Sequence, residues 1–528
     1  MSNSILKCKT LLLFILVGPA IWSCQPREQK VETNYATIDQ YKEPYRPQFH
    51  FSPQANWMND PNGMVYYEGE YHLFYQYHPD STVWGPMHWG HAVSSDLINW
   101  EHLPIALYPD ELGYIFSGST VVDWNNTSGL GTGEIPPMIA IYTYHLMERE
   151  KAGAVDYQTQ AIAFSTDKGR TWTKYEGNPV LPNPGIKDFR DPKVSWDEVS
   201  GKWIMALAVL DHIRFYSSQN LIDWELESEF GKEVGNHGGV WECPDLFKLP
   251  VEGTDEEKWV LLVSINPGAP HGGSGTQYFV GDFNGSEFIL DESFTPVLDE
   301  SIWIDYGTDN YAGVTWSDIP ENDGRRIFIG WMSNWQYANI VPTDSWRSAM
   351  TIPRVLTLRF DGEKYILASS PVAEISEIRG NSSNIEIGEI GSTKVIKSKY
   401  ELYELSMDLD ISQSQGFELV FSNDHDQQVI FGLDRAGEQV YVDRTKSGII
   451  DFQDSFAKVH KSPYKSGNNI SLLFHIDMAS IEIYIDNGDL VITEIYFPES
   501  GLKNFELVPK TGTIAITSGK ISELKSIW

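Results

Sequence analysis

Three acidic residues lie beside residue types that suit chemistry on a sugar, and each is close to a proline. Asp60 lies in the stretch 57–63, which reads WMNDPNG and combines a carboxylate with an amide and an indole. Asp191 follows Arg190 and precedes a proline, and Glu242 lies between an indole and a thiol. Carboxylates attack electrophilic carbon, transfer protons and bind hydroxyls, while indoles offer flat apolar faces to sugar rings. Taken singly, a surface turn, a salt bridge and a solvated glutamate would also explain them.

The elements that would position these acids are short strands. From residue 46 onward, runs rich in β-branched and aromatic residues alternate with clusters of glycine, proline, asparagine and aspartate, as at 71–75, 203–207 and 259–263. Long amphipathic helical patterns are scarce, so the chain is predicted to be all-β. Asp-Pro and Asn-Gly are strong turn signals, so we expect 57–63 to form a loop tip at the end of an inner strand.

A repeated segment indicates how the strands are arranged. It reads SDLINW at 95–100 and recurs as STDKGRTW at 165–172 and SQNLIDW at 218–224. Its tryptophans are 72 and 52 residues apart, a spacing that suits four-stranded blades with loop insertions better than solenoid coils. We therefore predict a β-propeller over residues 46–355, whose inner strands bring distant residues to one axial pocket.

A second β-rich region follows the propeller. The spacing of turn residues along the sequence changes near Pro353-Arg354, and residues 356–373 are predicted to form a linker. Isoleucines alternate with other residues over 481–486, an Asn-Gly turn follows, and an apolar run returns at 490–492, which predicts a hairpin. Similar strand-like runs nearby extend this prediction to a β-sandwich over 374–528.

Composition limits the classes of partner. The 528 residues are 41% hydrophobic and 21% charged, as in ordinary folded proteins, and the length suggests several domains. The net charge of −34 is spread along the chain, which repels nucleic acid and other anionic polymers and favours a neutral substrate. High negative charge also keeps a secreted protein soluble.

The N-terminus has the pattern of an export signal. Lys7 and Lys9 precede an apolar run that is long enough for a signal peptide and short for a membrane span, so residues 1–23 are predicted to be removed. A small residue before Cys24 is typical of a bacterial lipoprotein cleavage box, which predicts lipidation of that cysteine; simple secretion is the alternative. Residues 24–45 are polar and predicted to be a tether. With Cys24 lipidated, only Cys243 would remain, and no intrachain disulfide could form.

The three acidic motifs together resemble a known pattern. WMNDPNG at 57–63, RDP at 190–192 and ECP at 242–244 resemble the signature motifs of glycoside hydrolase family 32, the invertase–inulinase–levanase group. The resemblance runs in the family's order through essentially the whole mature chain. It continues through YQYHP at 75–79, WGPMHWGHA at 84–92, FSGS at 116–119, DYGTD at 305–309 and WMSNW at 331–335.

This resemblance implies a five-bladed β-propeller followed by a β-sandwich, and cleavage of β-fructofuranosidic bonds with retention of configuration. A retaining glycosidase needs an ionised nucleophile and a protonated acid roughly 5–5.5 Å apart. By motif, Asp60 is the nucleophile, Glu242 the acid/base and Asp191 the transition-state stabiliser. Neighbouring negative charge and an apolar wall are expected to raise the pKa of Glu242, and Arg190 is expected to pair with Asp191 and orient it.

Further positions match family residues that line the first fructose site, although packing of the propeller centre is an alternative for each. Cys243 is interpreted as a small packed residue, because thiol chemistry would need a paired histidine. No metal-ligand spacing or phosphate-cradling glycine loop appears, so neither a metal nor a cofactor is expected. The predicted substrate-binding residues are Asn59, Gln76, Trp84, Phe116, Ser117, Arg190 and Trp335.

The resulting functional hypothesis is a fructan hydrolase that is exo-acting on levan or inulin, releases fructose and also cuts sucrose. Its partner would be a neutral fructose-containing oligo- or polysaccharide, with membrane contact only through the N-terminal lipid in the cell envelope. Endo-cleavage and fructosyl transfer are the alternatives among enzymes. A non-catalytic fructan-binding protein is the alternative of another class, although a binder has no need for all three carboxylates.

Overall fold

The computed structural model describes residues 41–294 and 302–528, and this part of the chain is nearly all β-structure. The only α-helix there is the five-residue Met147–Lys151, and two 3-10 helices span Ala373–Ile378 and Asp486–Gly488. None of the helices described is long and apolar enough to cross a membrane. The all-β prediction is confirmed.

Five separate sheets of mostly antiparallel strands form the N-terminal part, one for each blade of a five-bladed propeller. The first three sheets consist of β1 Asn56–Tyr67, β2 Glu70–His78, β3 His88–Ser94 and β4 Glu101–Leu107; β5 Tyr114–Val122, β6 Met138–His145, β7 Gln158–Ser165 and β8 Thr173–Lys174; and β9 Phe189–Asp197, β10 Lys202–Val209, β11 His212–Ser218 and β12 Glu225–Phe230. The last two consist of β13 Val240–Pro250, β14 Glu257–Asn266, β15 Gly275–Phe283 and β16 Phe288–Leu290; and β17 Tyr311–Thr315, β18 Arg326–Met332, β20 Ala349–Met350, β21 Arg354–Phe360 and β22 Tyr365–Pro371. The short strand β19 Trp346–Arg347, which follows β18 in the chain, belongs to the first sheet, where it pairs in parallel with β1. That pairing joins the chain of the fifth blade to the first.

The repeated segment forms the same turn in three blades, between the third and fourth strands. In each copy the indole Nε1 donates to the backbone carbonyl three residues earlier: Trp100 to Leu97 at 3.1 Å, Trp172 to Gly169 at 3.0 Å and Trp224 to Leu221 at 3.1 Å. The indole therefore closes the turn, which explains why the motif recurs once in each of these three blades.

The structure differs from the predicted linker at 356–373. Arg354–Phe360 and Tyr365–Pro371 are strands of the fifth blade, and they pair with each other. Leu356 and Leu358 alternate with less buried residues and pack into the propeller core, together with Leu367. This period of two is typical of a half-buried strand, which explains why these residues form strands and not a linker.

Two sheets packed face to face form the C-terminal sandwich. The predicted hairpin is confirmed, because Ser480–Ile485 pairs with Leu490–Ile495 across the Asn-Gly turn. The strands are β23 Arg379–Asn384, β24 Gly388–Ile390, β25 Lys394–Lys397, β26 Tyr403–Asp410, β27 Gly416–Ser422, β28 Gln428–Asp434, β29 Gln439–Lys446, β30 Val459–Pro463, β31 Asn469–Ile476, β32 Ser480–Ile485, β33 Leu490–Ile495, β34 Asn504–Pro509 and β35 Ile514–Leu524.

Buried ion pairs join the propeller to the sandwich at their junction. Arg354 of the propeller contacts Glu482 of the sandwich, and it also lies 2.9 Å from Asp305. In the opposite direction, Arg444 of the sandwich lies 2.7 Å from Asp309 of the propeller. Arg354, Glu482, Arg444 and Asp309 are all buried, so each domain completes the ion pairs of the other. The segment 305–309, quoted above among the family-like motifs, therefore lies at this junction.

The described chain begins within the predicted tether 24–45. Tyr41 stacks on Trp528 with ring centroids 3.9 Å apart, and Glu43 pairs with Arg46 at 2.6 Å, so these residues lie against the folded domains. The predicted signal peptide 1–23 and the lipidation site Cys24 lie outside the described residues.

Candidate active site

The innermost strand of every propeller blade carries a register shift at the same level. In the first, third and fourth blades the shift lies at or beside the predicted catalytic acids. Such β-bulges bend a strand and redirect its side chains. The shifts lie between Met58 and Pro61, Ile115 and Gly118, Arg190 and Lys193, Glu242 and Asp245, and Tyr311 and Val314.

The prolines of the three motifs fit these positions because one edge of each inner strand is free there: β9 and β13 are edge strands, and β1 pairs with β19 only at Asn56 and Trp57. Pro61, Pro192 and Pro244 have no N–H to donate, and a strand with a free edge tolerates that loss. The predicted loop tip at 57–63 is therefore wrong, since Asp60 lies within the strand Asn56–Tyr67. Gly63 adopts φ +53°, and a Cβ there would lie 2.7 Å from the indole of Trp89, so only glycine fits this bulge.

Asp60 is held by donors from two strands. Ser117 Oγ donates to its Oδ2 at 2.7 Å, and Asn59 Nδ2 donates to its Oδ1 at 3.0 Å. The indole of Trp57 donates to Asn59 Oδ1 at 2.7 Å, which turns the amide N–H₂ group towards the carboxylate. Burial raises the pKa of Asp60, while the Ser117 and Asn59 hydrogen bonds lower it. These donors stabilise the ionised form and fix the direction of the carboxylate.

Asp191 and Cys243 form the floor beside Asp60. The backbone N–H of Cys243 donates to Asp191 Oδ2 at 3.1 Å, and its thiol lies 3.7 Å from Asp60 Oδ2 and 3.6 Å from Asp191 Oδ2. Burial and the three nearby carboxylates, those of Asp191, Asp60 and Glu242, raise the thiol pKa well above its usual range. The thiol therefore stays protonated and donates weakly to two carboxylates, which agrees with its interpretation as a packed residue.

Glu242, rather than Asp191, is the partner of Arg190. The guanidinium donates to Glu242 Oε1 at 2.6 Å and 3.2 Å and to Asp188 at 2.7 Å, whereas its nearest approach to Asp191 is 3.9 Å. The predicted Arg190–Asp191 pair is thus corrected. Adjacent residues of a strand point to opposite faces, so Arg190 reaches across to the neighbouring inner strand.

The electrostatics of the three acids follow from burial and from their mutual repulsion. The pKa of Asp191 is raised to about 7, mainly by burial; Arg190 opposes this rise, and the charges of Glu242 and Asp60 add to it. Burial also raises the pKa of Glu242, with Arg190 opposing and Asp60 reinforcing that rise. Three carboxyl groups facing one guanidinium cannot all ionise easily, so the cluster retains a proton near neutral pH.

These acids lie in a pocket of about 240 Å³ at one end of the propeller axis. All ten sequence-predicted catalytic and substrate-binding residues line it: Asn59, Asp60, Gln76, Trp84, Phe116, Ser117, Arg190, Asp191, Glu242 and Trp335. Trp84 and Phe116 pack edge to face on one side, and Trp335 packs on Trp57 and Trp331 on another. The pocket thus combines a charged floor with aromatic walls, an arrangement suited to a sugar ring.

The sequence reasoning missed part of the wall. His145 stacks on Phe116 at 4.2 Å and contacts Glu150 at 3.0 Å and Gln158 at 3.1 Å, and burial lowers its pKa to about 4, so it is neutral. Asp188 could have been found from its position two residues before Arg190, but the others carry no local signal. The missed lining residues are His145, Glu150, Tyr157, Gln158, Asp188 and Asn266.

No group of three or more histidine, cysteine, aspartate or glutamate side chains within residues 41–294 and 302–528 could hold a metal ion.

Two family models cover most of the chain. The model described as the glycosyl hydrolases family 32 N-terminal domain matches residues 50–371, and the family 32 C-terminal model matches residues 374–523. These limits coincide with the propeller and the sandwich.

Individual proteins give the same result. A levanase from Bacillus subtilis (strain 168) is 51% identical over 496 residues, covering 92% of this chain and 72% of that protein. An extracellular exo-inulinase from Aspergillus awamori is 39% identical over 519 residues, covering 92% and 96%.

Solved structures share the fold. The crystal structure of exo-inulinase from Aspergillus awamori superposes with a TM-score of 0.85 at 38% identity, covering 92% of this chain and all of that one. A fructofuranosidase from Schwanniomyces occidentalis complexed with fructose gives 0.80 at 33% identity, covering 93% and 100%. With both domains matched in order, the chain belongs to glycosyl hydrolase family 32 and is a glycoside hydrolase.

Proposed function

We propose that this chain hydrolyses β-fructofuranosidic bonds in fructans and in sucrose, with retention of configuration. The observation that carries the proposal is the convergence of Asp60, Asp191 and Glu242, from three blades, on the floor of one aromatic-walled pocket. The names of its relatives, a levanase and exo-inulinases, support the choice of fructans as the substrate. The negative charge of the chain favours an uncharged substrate over an anionic one.

In the first step, Asp60 attacks the anomeric carbon of the fructosyl unit while Glu242 donates its proton to the glycosidic oxygen. The carbon–oxygen bond to the leaving sugar breaks as the bond to Asp60 forms, which gives a covalent fructosyl-enzyme. The hydrogen bonds from Ser117 and Asn59 favour the ionised form that this role needs and oppose the rise in the pKa of Asp60 that its burial causes.

Glu242 is the acid by motif, and its contact with Arg190 leaves one of its oxygens open for the proton. Both hydrogen bonds from the guanidinium end on Oε1, which leaves Oε2 to carry the proton. Positioned proton transfer of this kind is typically worth about 10²–10⁴ in rate. In the second step, water attacks the anomeric carbon and Glu242 accepts the proton from that water. The bond between the carbon and Asp60 breaks, which frees the carboxylate, and fructose leaves with its original configuration.

Asp191 serves as the stabiliser of the developing oxocarbenium charge. Its carboxylate accepts the backbone N–H of Cys243 and lies across the thiol from Asp60, so it faces the same bound sugar. Its raised pKa makes its charge depend on the protonation of Glu242, since the two acids repel each other. A proton held on Glu242 therefore favours an ionised Asp191, and the two roles support each other.

We further propose that cleavage is exo. The floor formed by Asp60, Asp191 and Cys243 limits the depth of the pocket, which suits the end of a chain better than its middle. Asn59, Gln76, Trp84, Phe116, Ser117 and Trp335 would contact the terminal fructose. Export through the signal 1–23 and attachment through a lipid on Cys24 would place the enzyme in the cell envelope, where polymeric fructan is met.

The experiment compares the wild-type chain with Asp60→Asn and Glu242→Gln. Both variants should lose release of reducing sugar from levan, inulin and sucrose, with melting midpoints close to wild type. Glu242→Gln should recover formation of the fructosyl-enzyme on a fructoside with an activated leaving group, because such a group needs no proton. A wild-type chain that releases no reducing sugar would refute the proposal.

The first products of the reaction distinguish exo-cleavage from endo-cleavage and from fructosyl transfer. Free fructose as the first product of levan and inulin digestion supports exo-cleavage, whereas oligosaccharides would identify an endo-acting enzyme. Products longer than the substrate, formed from concentrated sucrose, would identify a fructosyltransferase.

A further inference from the structure

A second cleft lies at the opposite end of the inner strands. The strands that carry Ser117, Asp191 and Glu242 end at Val122, Asp197 and Pro250, which is roughly 16–26 Å further along at 3.3 Å per residue. There, residues of these three inner strands and of the segment that follows the fifth blade's inner strand contribute to the lining of a cleft of about 590 Å³. This volume is within the range of ligand-binding pockets.

We propose that this cleft is a second carbohydrate-binding site, which holds a distant part of the fructan chain while the pocket cleaves a chain end. The inference rests on the proposed fructan hydrolase function, because it takes the same polymer as its ligand. The site has no catalytic acid arrangement of its own and acts by retaining the enzyme on its substrate.

The first argument is the aromatic lining. Trp124 is 58% exposed, and Trp196 and Trp259 are half-buried in the same cleft. The indole of Trp124 is fixed rather than loose, because its Nε1 donates to Asp318 Oδ1 at 2.8 Å. Asp318 also accepts the backbone N–H of Val122 at 3.0 Å, so the ring is tied to the inner strand. A large, exposed and rigidly held indole face is a suitable platform for a sugar ring.

The second argument is the polar lining. The cleft is lined by three cationic and four carboxylate side chains, so it carries little net charge and suits a neutral, hydroxyl-rich ligand. Asp245 is fully buried at its floor; Oδ2 accepts from Thr315, but Oδ1 has no hydrogen-bond partner among the described residues. A buried carboxylate oxygen without a donor is costly, and a bridging water or a ligand hydroxyl would satisfy it.

The cleft is separate from the catalytic pocket. Between the two ends of the axis, Cys243 and Lys193 border a void of about 10 Å³. This is at most the space of one water molecule, so neither fructose nor its oligomers can pass. Lys193 blocks the axis further, since its ammonium donates to Thr315 O at 2.6 Å and lies 3.2 Å from Asp245. The cleft is therefore not an exit for product.

The test uses the full chain carrying Glu242→Gln, so that polymer is bound without turnover. Electrophoresis in native gels containing levan or inulin gives the affinity from the retardation relative to gels without polymer. Adding Trp124→Ala should weaken the apparent affinity about tenfold, which corresponds to about 1.4 kcal/mol. Trp124→Phe, which keeps a ring but loses the bond to Asp318, should give a smaller loss and provides a second variant if the alanine protein is unstable.

The control is Phe360→Ala, because Phe360 is also an exposed aromatic residue, at 43%, but lies outside both clefts. It should migrate like the parent. With Glu242 restored, Trp124→Ala should leave kcat/KM on sucrose unchanged and lower it on the polymer. Equal retardation of the parent and both Trp124 variants overturns the inference. If the wild-type enzyme releases fructose from the same polymer in that case, the proposed function stands and only the second site fails.

Discussion

Removing the hydroxyl of Ser117 tests how the pocket keeps its nucleophile ionised. Ser117 Oγ donates to Asp60 Oδ2 at 2.7 Å, and this bond is one of the effects that lower the pKa of Asp60 against its burial. In Ser117→Ala, Asn59 and the weak thiol donor of Cys243 remain. We therefore expect the pKa of Asp60 to rise, and the low-pH limb of kcat/KM to move to higher pH.

The size of the shift follows from the strength of such a bond. A hydrogen bond to a charged group contributes about 1.5–3 kcal/mol, and one pKa unit corresponds to about 1.4 kcal/mol. The limb should therefore move upward by about 1–2 units. Below the original limb, activity should fall by about 10–100-fold; at the optimum the loss should be smaller, because Asp60 is ionised there in both proteins.

The assay is initial-rate hydrolysis of sucrose between pH 3 and pH 9, with kcat/KM fitted at each pH, because this ratio reports the ionisations of the free enzyme. Ser119→Ala is the matched control. Ser119 lies two residues along the same strand and is equally buried, but it bonds to Pro192 O and the N–H of Val194 rather than to Asp60. A limb that stays in place or moves to lower pH in Ser117→Ala would refute the reasoning.

Three further changes test other parts of the structure. Arg190→Gln removes the cation that lowers the pKa of Glu242, so the high-pH limb of kcat/KM should move to higher pH, and a shift to lower pH would contradict the assignment. Gly307→Ala would place a Cβ 2.1 Å from the carbonyl oxygen of Thr493, so its melting midpoint should fall, with a cost of about 1–3 kcal/mol. Gly467→Ala should not change the midpoint, because a Cβ there would make only ordinary van der Waals contact with the backbone of Asn469, at 3.8 Å. Burial lowers the pKa of His50, but the hydrogen bonds that its ring donates to Asp477 and Glu482 prevail and raise it to about 9, above its unfolded value near 6.5. Its contribution, about 3 kcal/mol, is thus complete below pH 6.5 and lost as the pH rises to 9; the difference in unfolding free energy in urea between wild type and His50→Gln should shrink over that window.

The sequence was sufficient for the fold class and for the acids of the site. The indole turn recurs once in each of three blades and predicts the propeller, and the proline-linked motifs predict Asp60, Asp191 and Glu242. Both signals are local, because a turn motif and an acid–proline pair are visible within a few residues.

What the sequence could not supply depends on contacts between strands. Asp-Pro and Asn-Gly looked like a loop, but a free strand edge and a bulge accommodate both within the strand Asn56–Tyr67. Arg190 was assigned to its neighbour Asp191, although the guanidinium crosses to Glu242 on another blade. His145 belongs to the wall only because β6 and β7 place it beside Phe116, and no local pattern marks it.

The buried ion pairs at the domain junction limit how the two domains of this enzyme can be separated or recombined with those of relatives. A chimaera whose sandwich lacked these partners would leave Asp309 without Arg444 and deprive Arg354 of Glu482 inside a closed junction, and removing one partner of a buried pair costs about 3–5 kcal/mol. Two such losses approach the whole stability of an ordinary domain, about 5–15 kcal/mol. The sandwich is in this sense a set of counter-ions for the propeller. Chimaeras between relatives should therefore fold only when the residues on both sides of the junction come from the same parent.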